Sequence, residues 1–465
     1  MILADPAKLH AALQQFEVGR LQEAEAICEA ILAGAPDDFW TLRLLGELHS
    51  KRGCSVRALH FLTRALAADE PGDTATVAEL SKLAIALVDE RQFAAAVECL
   101  RLVLARRPDD AVALHNHAYA LVGLNRHAEA LPVYRAARKL NPDSPHLKVN
   151  EGIALLGAGE WQAGWAQYEA RLDMPHLFEP DAFAERFPRW RGDTDIAGKT
   201  ILLQAEQGLG DSLQFVRYVP LVAALGARVV LRVQPPLAKI LRGVPGADRV
   251  VTFADEPDGI DLQCRLMSLP AIFGTTPATV PASVPYLDVP REYLMLWRAL
   301  LGPVRRKRIG IAWSGAQQIP GRSIPLEILA PLLRHADYEF HALQAEFPEA
   351  DAAWLAANPM VVDHSERWLD FADAAALAAS LDLVITIDTA MAHLAGALGL
   401  PTWIMLPFHA DFRWLLDRAD TPWYPTARLF RQQRPGDWEG VVAEVVAGLK
   451  YEDGHAWSSR RPPSA

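Results

Sequence analysis

The stretch LDLVITIDTAMAHLAG, residues 381–396, changes character at its midpoint. Its first half is a short apolar run rich in β-branched side chains, which is typical of a buried strand. Asp388 and Thr389 end that run, and the small side chains from Ala390 onward favour a helix. A strand that passes directly into a helix is the elementary unit of an open parallel sheet.

The same transition occurs at two earlier places in the chain. KTILLQ, residues 199–204, leads into a turn that contains Gly208 and Gly210, and RIGIAWSG, residues 308–315, starts a second series. The predicted strands are 199–204, 227–233, 308–315, 339–344, 360–364 and 381–388, and the predicted helices are 212–225, 293–301, 326–334, 374–380 and 438–449. We therefore predict two α/β lobes, at residues 199–303 and 304–451.

The first third of the chain repeats itself at intervals of 34, 38, 34 and 34 residues. Pro36, Pro108 and Pro142 each close a helical pair, because proline cannot continue a helix. The longer interval contains a four-residue insertion at 70–73. The five units start near Asp5, Phe39, Val77, Ala111 and Pro145.

Small residues occupy the eighth and twentieth positions of every unit, where two helices would cross closely. These residues are Ala12 and Ala24, Gly46 and Ala58, Ala84 and Ala96, Ala118 and Ala130, and Gly152 and Gly164. The spacing resembles the tetratricopeptide repeat and predicts an α-solenoid at residues 1–172, followed by a connector at 173–198. Such a solenoid either binds a peptide or protein or acts as a spacer, and no recognition residues decide between these roles.

The composition excludes several classes of protein. The formal net charge is −11 and the basic residues are scattered, so we do not expect nucleic acid to bind. The four cysteines lie far apart, which argues against disulfides and a thiolate zinc site. No signal peptide is evident, and the apolar run 377–408 contains charged residues, so we predict no membrane span and a cytoplasmic location. The polar tail, 452–465, is predicted to be disordered.

Two segments at strand ends carry candidate site residues. Thr389 and His393 are four residues apart and would share one face of a helical first turn, where the helix dipole favours a diphosphate. The alternative is a helix cap with His393 bonded in the core. Gly208 and Gly210 allow close backbone approach, and Asp211 starts the next helix, where an acidic residue is also an ordinary N-cap.

Several longer motifs carry a resemblance to a known family. They are WQAGWAQYEARL, AEQGLGDSLQFVRYVP, SIPLEIL, SLDLVITIDTAMAHLAGALGLPTW and WYPTARLFRQ. In this order they resemble the ADP-heptose:lipopolysaccharide heptosyltransferases, glycosyltransferase family nine, and repeat-fused bacterial relatives of that family. The resemblance implies a GT-B fold of two Rossmann-like lobes, the first on the acceptor side and the second for the nucleotide sugar, with no metal and no cofactor beyond the nucleoside-diphosphate sugar itself.

The resemblance also implies roles for individual residues. Asp211 corresponds to the general base, and Glu206 is the alternative base on the same turn. The residues expected to bind substrate are Gln207, Gly208, Gly210, Ser314, Gly315, Arg322, Gln344, Asp388, Thr389, Ala390 and His393. The loop 316–321 is shorter than in the relatives, which puts donor contacts from that loop in question.

These expectations combine into one functional hypothesis and one alternative. The first is a glycosyltransferase, hexosyl- or heptosyltransferase-like and inverting, that moves a sugar to a hydroxyl of a protein or glycan acceptor presented by the repeats. The alternative is a non-catalytic protein-binding scaffold with a degenerate glycosyltransferase domain, which the short loop 316–321 favours. The sequence indicates neither the nucleotide nor the sugar.

Overall fold

The computed structural model describes residues 5–68, 74–174, 181–315 and 321–453. The chain divides into two compact units, Met1–Leu155 and Leu156–Ala465. The insertion at 70–73, residues 316–320 of the short loop and most of the predicted tail lie outside the described residues. The domain boundaries drawn from the sequence stay predictions.

The first unit consists of helices that pack in consecutive pairs. Each pair also contacts the next, so that one apolar core runs through the helices from Ala58 to Leu155. The helices are α1 Pro6–Glu17, α2 Leu21–Leu32, α3 Phe39–Lys51, α4 Ser55–Ala68, α5 Thr74–Asp89, α6 Phe93–Arg106, α7 Ala111–Gly123, α8 His127–Leu140 and α9 Pro145–Gly157, which ends in the second unit.

Aspartate caps explain where several of these helices begin. The side chains of Asp5, Asp38 and Asp110 accept hydrogen bonds from backbone N–H groups in the first turns of α1, α3 and α7. The helix starts agree with the predicted unit starts except in the third unit, where α5 begins at Thr74. The small residues are buried as predicted, and a β-carbon on Gly46 would stand 2.5 Å from Cγ of Leu62.

The second unit alternates strands and helices. Its strands are β1 Thr200–Gln204, β2 Arg228–Val233, β3 Arg249–Thr252, β4 Leu262–Arg265, β5 Lys307–Ala312, β6 Tyr338–Ala342, β7 Val361–Val362, β8 Leu383–Ile387, β9 Thr402–Leu406 and β10 Ala427–Arg431. Its helices are α10 Trp161–Tyr168, α11 Leu209–Phe215, α12 Val219–Ala224, α13 Ala238–Leu241, α14 Leu269–Ile272, α15 Arg291–Leu301, α16 Leu326–Leu333, α17 Glu349–Ala357, α18 Phe371–Ala378, α19 Ala390–Ala397 and α20 Trp438–Asp453.

These strands form two parallel sheets. The first has the order β3-β2-β1-β4, and the second has the order β10-β9-β8-β5-β6-β7. The second order is that of a doubly wound dinucleotide-binding fold, and the first is its four-stranded part. The predicted fold class, helical repeats followed by two Rossmann-like lobes, is therefore confirmed.

The strand order also indicates where a ligand would bind. In an open parallel sheet the connections reverse direction at one point, and a crevice opens there beyond the carboxyl ends of the two flanking strands. That point lies between β1 and β4 in the first lobe and between β5 and β8 in the second. The loops after β1, β5 and β8 contain most of the predicted site residues.

The helix predicted at 212–225 is interrupted. The chain forms α11, a single 3₁₀ turn at Val216–Tyr218 and then α12. Pro220 lies in the first turn of α12, and it has no N–H to donate to the preceding turn. The prediction of one continuous helix was therefore wrong at this proline.

Helix α10 packs within the second unit although its sequence continues the repeat pattern. Trp161 stacks on Trp423 with ring centroids 5.2 Å apart, and Trp165 contacts Phe215 and Phe412 edge-on. These aromatic pairs join α10 to both lobes, because Phe215 follows β1 and the other two rings follow β9.

Across the described ranges, every helix is too short or too polar to cross a membrane.

Candidate functional site

Two helices meet at the point where both lobes expose their strand ends. Gly208 is the N-cap of α11, and its N–H donates a 2.8 Å hydrogen bond to Oδ2 of Asp211. Gly210 lies against the first turn of α19: a β-carbon built on it would stand 2.7 Å from Cδ2 of His393 and 3.3 Å from Cα of Ala390. The absence of a side chain at Gly210 thus allows the two predicted site segments to touch.

Arg413 joins the two segments electrostatically. It follows β9 in the second lobe and forms an ion pair with Asp211 of the first lobe. Its other guanidinium nitrogens contact Asp411 at 2.8 Å and donate to Oε1 of Gln214 at 2.7 Å. Arg413 and Asp411 were not among the predicted site residues. Their position after the apolar run TWIML, which predicts a strand, is the sequence feature that could have identified them.

Asp211 is held between opposing electrostatic effects. Burial raises the pKa of its carboxyl above the usual value, whereas Arg413 and the Gly208 N–H act in the opposite direction. Its carboxylate oxygens already have one partner each, Oδ2 the Gly208 N–H and Oδ1 the Arg413 guanidinium. The N-cap of α11 is thus Gly208 and not Asp211, which lies at the third helical position, bonds back to that cap and belongs to a charged cluster between the lobes.

His393 is buried and uncharged. Its Nδ1 lies 2.8 Å from Oη of Tyr424, and its ring stacks on Trp414 with centroids 5.5 Å apart. Burial, with Arg413 and Arg217 nearby, keeps the pKa of His393 well below its usual range, so the imidazole is neutral. Its Nε2 lies 4.0 Å from Oδ1 of Asp388. His393 is therefore hydrogen-bonded in the core, as the alternative interpretation held. It also lies beside the start of α19.

Asp388 and Thr389 occupy the end of β8 and the start of α19. Burial and the nearby Asp411 carboxylate raise the pKa of Asp388 to about 6. Thr389 is the N-cap of α19 in an extended conformation, and its side chain makes no capping hydrogen bond. The first amides of α19 therefore have no side-chain acceptor from their own cap.

The loop after β5 is braced from β6. Oε1 of Gln344 accepts from the backbone N–H groups of Trp313 and Ser314, at 2.6 and 2.8 Å, and its Nε2 donates to Oγ of Ser314. Arg322 packs on Gly315, where a β-carbon would stand 2.7 Å from Nη2. Within the part of the chain that the structure describes, Nε of Arg322 is buried without a hydrogen-bond partner. Gln344 supports the loop with both ends of its amide.

Glu206 belongs to a different cluster. Its carboxylate accepts from Nε and Nη2 of Arg171 at 3.1 and 2.8 Å and from the backbone N–H of Met267 at 3.1 Å. Both charged side chains are 1% exposed. Arg171 also contacts Glu169 and Ser268, so this ion pair attaches the segment after α10 to the loops after β1 and β4. Gln207 likewise faces this segment, donating from Nε2 to Oη of Tyr168 at 3.0 Å.

A cluster of aromatic side chains after β9, which contains Trp414, Trp423 and Tyr424, lies in the protein core. Trp414 and Trp423 are fully buried. Arg217 of the first lobe donates to the carbonyl oxygen of Trp423 at 2.8 Å and lies over the ring of Tyr424. This cluster closes the two lobes against each other beside the candidate site.

Comparison with known proteins identifies the helical repeats. The family model described as "Tetratricopeptide repeat" matches residues 81–145 and 115–176. Residues 81–176 are tetratricopeptide repeats. The match covers the last predicted units and includes α10, and the observed helix pairing extends the same pattern toward Pro6.

Three further proteins are similar to this chain. Protein FlbA of Caulobacter vibrioides (strain ATCC 19089 / CIP 103742 / CB 15) is 28% identical over 385 residues, which are 76% of this chain and 63% of that protein. The chain therefore spans less than two thirds of the length of this curated relative. The crystal structure of the glycosyl transferase family 9 from Veillonella parvula DSM 2008 has a TM-score of 0.44 and 10% identity, covering 56% of this chain and 98% of that one. The crystal structure of MamA has a TM-score of 0.29 and 18% identity, covering 36% and 94%.

Proposed function

We propose that the second unit is a glycosyltransferase that moves a sugar from a nucleoside-diphosphate sugar to a hydroxyl of a protein or glycan acceptor. The observation that carries the proposal is the contact of α11 with α19, at the strand ends where the connections of each sheet reverse. A carboxylate, Asp211, thereby stands next to the start of α19 and to Arg413. Transfer to a hydroxyl needs a base on one side and positive charge on the other.

The proposed reaction transfers one proton, forms one bond and breaks one bond. Asp211 takes the proton of the acceptor hydroxyl, and the freed oxygen attacks the anomeric carbon from the side opposite the diphosphate. The bond between that carbon and the diphosphate oxygen breaks, and the nucleoside diphosphate leaves with the electron pair. Attack from the opposite side inverts the anomeric configuration.

The surroundings of the two carboxylates favour Asp211 over Glu206 as the base. The Glu206 side chain, paired with Arg171 and bonded to the backbone N–H of Met267, is 1% exposed, whereas the Asp211 side chain, although paired with Arg413, is 17% exposed. Asp211 lies at the junction of the lobes, and burial raises the pKa of its carboxyl toward the range useful for a base.

The proposed donor site uses positive charge from the protein instead of a metal ion. The start of α19, where Thr389 gives no side-chain cap, favours a diphosphate, and the helix dipole adds to this attraction. Arg322 contributes a buried Nε that needs an acceptor, and it acts electrostatically on both Asp388 and His393. Because His393 is neutral, we propose that it contributes a hydrogen bond and not a charge.

The repeats of the first unit are proposed to bind the acceptor. Tetratricopeptide solenoids offer an extended concave surface to a partner chain. Trp40 is exposed on α3, with the guanidinium of Arg43 lying 4.7 Å from its ring centroid, and Tyr119 is exposed on α7. Exposed aromatic side chains of this kind are suited to holding a peptide or a sugar ring.

Nucleotide binding provides the experimental test. Calorimetric titration of the full chain with ADP, UDP, GDP and CDP is expected to give binding by at least one of them, and Thr389→Pro, which distorts the start of α19, is expected to abolish it. Asp420→Asn on the surface pair with Arg418 serves as the control and should bind like the wild type. If no nucleoside diphosphate binds, the proposal fails and a scaffold role remains.

A further inference from the structure

Each guanidinium nitrogen of Arg413 has a partner within the protein. Nη2 pairs with Asp211, Nη1 lies 2.8 Å from Oδ1 of Asp411, and Nε donates to Gln214. The side chain is 9% exposed. Burial alone would lower the pKa of Arg413, but Asp411 and Asp211 keep it above the usual value, so the group stays charged.

This arrangement conflicts with the role proposed for Asp211. A general base must offer an oxygen to the hydroxyl that it deprotonates, at hydrogen-bond distance. Oδ2 of Asp211 caps α11 through Gly208, and Oδ1 pairs with Arg413. An arginine in contact also stabilises the carboxylate and weakens it as a base. As long as Arg413 stays on Asp211, the proposed base is inhibited.

Arg413 is also well placed to meet a diphosphate. It acts electrostatically on Asp388 and His393, which flank the start of α19. A guanidinium binds phosphate oxygens in the same two-pronged geometry that it uses with carboxylates. A diphosphate at this position would therefore compete with Asp211 for the same cation.

We propose that Arg413 is a donor-operated switch on the base: the diphosphate of the sugar nucleotide takes the Arg413 guanidinium from Asp211 and thereby frees Asp211 to accept the acceptor proton. Arg413 acts on the acceptor through Asp211 and is a positioning residue in that respect. The inference rests on the proposed function and adds an order to it, because the base becomes competent only after the donor has bound. Asp411 and Gln214 keep Arg413 in reach of both partners during the exchange.

A double-mutant cycle on nucleotide affinity tests this exchange. The probes are ADP, UDP, GDP and CDP, titrated into the wild type, Asp211→Asn, Arg413→Gln and the double variant. Asp211→Asn removes the competitor and is expected to tighten the binding of the cognate nucleotide about tenfold, and Arg413→Gln is expected to weaken it about tenfold. In the Arg413→Gln background, Asp211→Asn is expected to change the affinity less than about twofold.

The cycle distinguishes the exchange from simple charge repulsion and from failure of the proposed function. If Asp211→Asn tightens binding equally with and without Arg413, Asp211 merely repels the diphosphate and the inference is wrong. If Asp211→Asn leaves the affinity unchanged in the wild-type background, the pair is structural and the inference is also wrong. If the wild type binds none of the four nucleotides, the proposed function falls together with the inference.

Two further variants serve as controls. Arg413→Lys keeps the charge but not the two-pronged geometry, and we expect its nucleotide affinity to lie between those of the wild type and Arg413→Gln. Asp420→Asn removes an exposed carboxylate and should not alter affinity. A thermal unfolding curve of each variant identifies any that fail to fold.

Discussion

Gly210 of the first lobe packs directly against His393 of the second. A β-carbon on Gly210 would stand 2.7 Å from Cδ2 of the imidazole, so a larger residue does not fit between them. This contact brings the turn after β1 to the start of α19. The distance between the proposed base and the proposed diphosphate site is therefore set by a glycine, and small changes at this position are expected to affect both the packing of the lobes and the chemistry.

Replacement of Gly210 by alanine tests this contact. The added methyl must displace His393 or the backbone at Ala390, and we expect a loss of stability of about 1–3 kcal/mol together with weaker nucleotide binding. Gly243→Ala is the matched control: among the described residues no atom lies within 4 Å of a β-carbon built there, so the exchange should be nearly neutral. Thermal unfolding and calorimetry measure the two effects. A Gly210→Ala variant that matches the wild type in both would show that the contact is not tight.

Replacement of Glu206 by glutamine tests which carboxylate is the base. Arg171 would lose its main buried counter-charge, and we expect the free energy of unfolding to fall by about 3–5 kcal/mol. The double variant Arg171→Met, Glu206→Gln removes both charges and should recover part of that loss. Denaturant unfolding of the full chain provides the measurement. A Glu206→Gln variant with unchanged stability but no transfer activity would instead make Glu206 the base.

The pKa of Asp388, raised to about 6, predicts that donor binding depends on pH. Below pH 6 the carboxyl is neutral and no longer repels the diphosphate, although Asp411, Arg413, Arg322 and His393 also face this site. We expect the affinity for an intact sugar nucleotide to rise as the pH falls from about 7.5 to about 5.5, and Asp388→Asn to bind with little pH dependence. Calorimetry at several pH values measures this, and an equal pH dependence in Asp388→Asn would assign it to another group.

The same carboxyl predicts a change in stability. The folded chain holds the Asp388 proton up to about pH 6, whereas an unfolded chain releases it near the ordinary pKa of 3.8. Stability from this group therefore decreases as the pH rises from about 4 to about 6. Comparison of the unfolding free energies of wild type and Asp388→Asn across this range isolates the contribution, and parallel curves would contradict the raised pKa.

Much of the fold could be predicted from periodic patterns. Prolines and small residues at fixed spacing located the helix pairs, and apolar runs located six of the ten described strands. β9 lies inside the apolar run 377–408 and was not assigned as a separate strand. β3 and β4 were missed because they are only four residues long and carry polar side chains such as Gln263 and Arg265. β10 was missed because Arg428 and Arg431 interrupt its apolar pattern, although Arg428 lies over the rings of Trp403 and Phe430.

The candidate site could be predicted only where it consists of local motifs. Asp211 and His393 stand at strand ends in their own segments, and each was identified there. The pairing of Asp211 with Arg413 joins residues 202 positions apart, and a single sequence carries no sign of such a contact. The burial of Glu206 against Arg171 was hidden for the same reason, because the partner lies before the first strand of the lobe.

The most direct measurement is the release of nucleoside diphosphate from ADP-, UDP- and GDP-sugars by the full chain, compared with the Asp211→Asn variant. We expect the wild type to turn over at least one of these donors, slowly with water and faster with an acceptor hydroxyl. Loss of the base is expected to lower that rate about 100-fold or more in Asp211→Asn while nucleotide binding persists. Equal rates in the two proteins would contradict the role of Asp211, and a wild type that binds a nucleotide but turns over none of its sugars would contradict the enzyme itself.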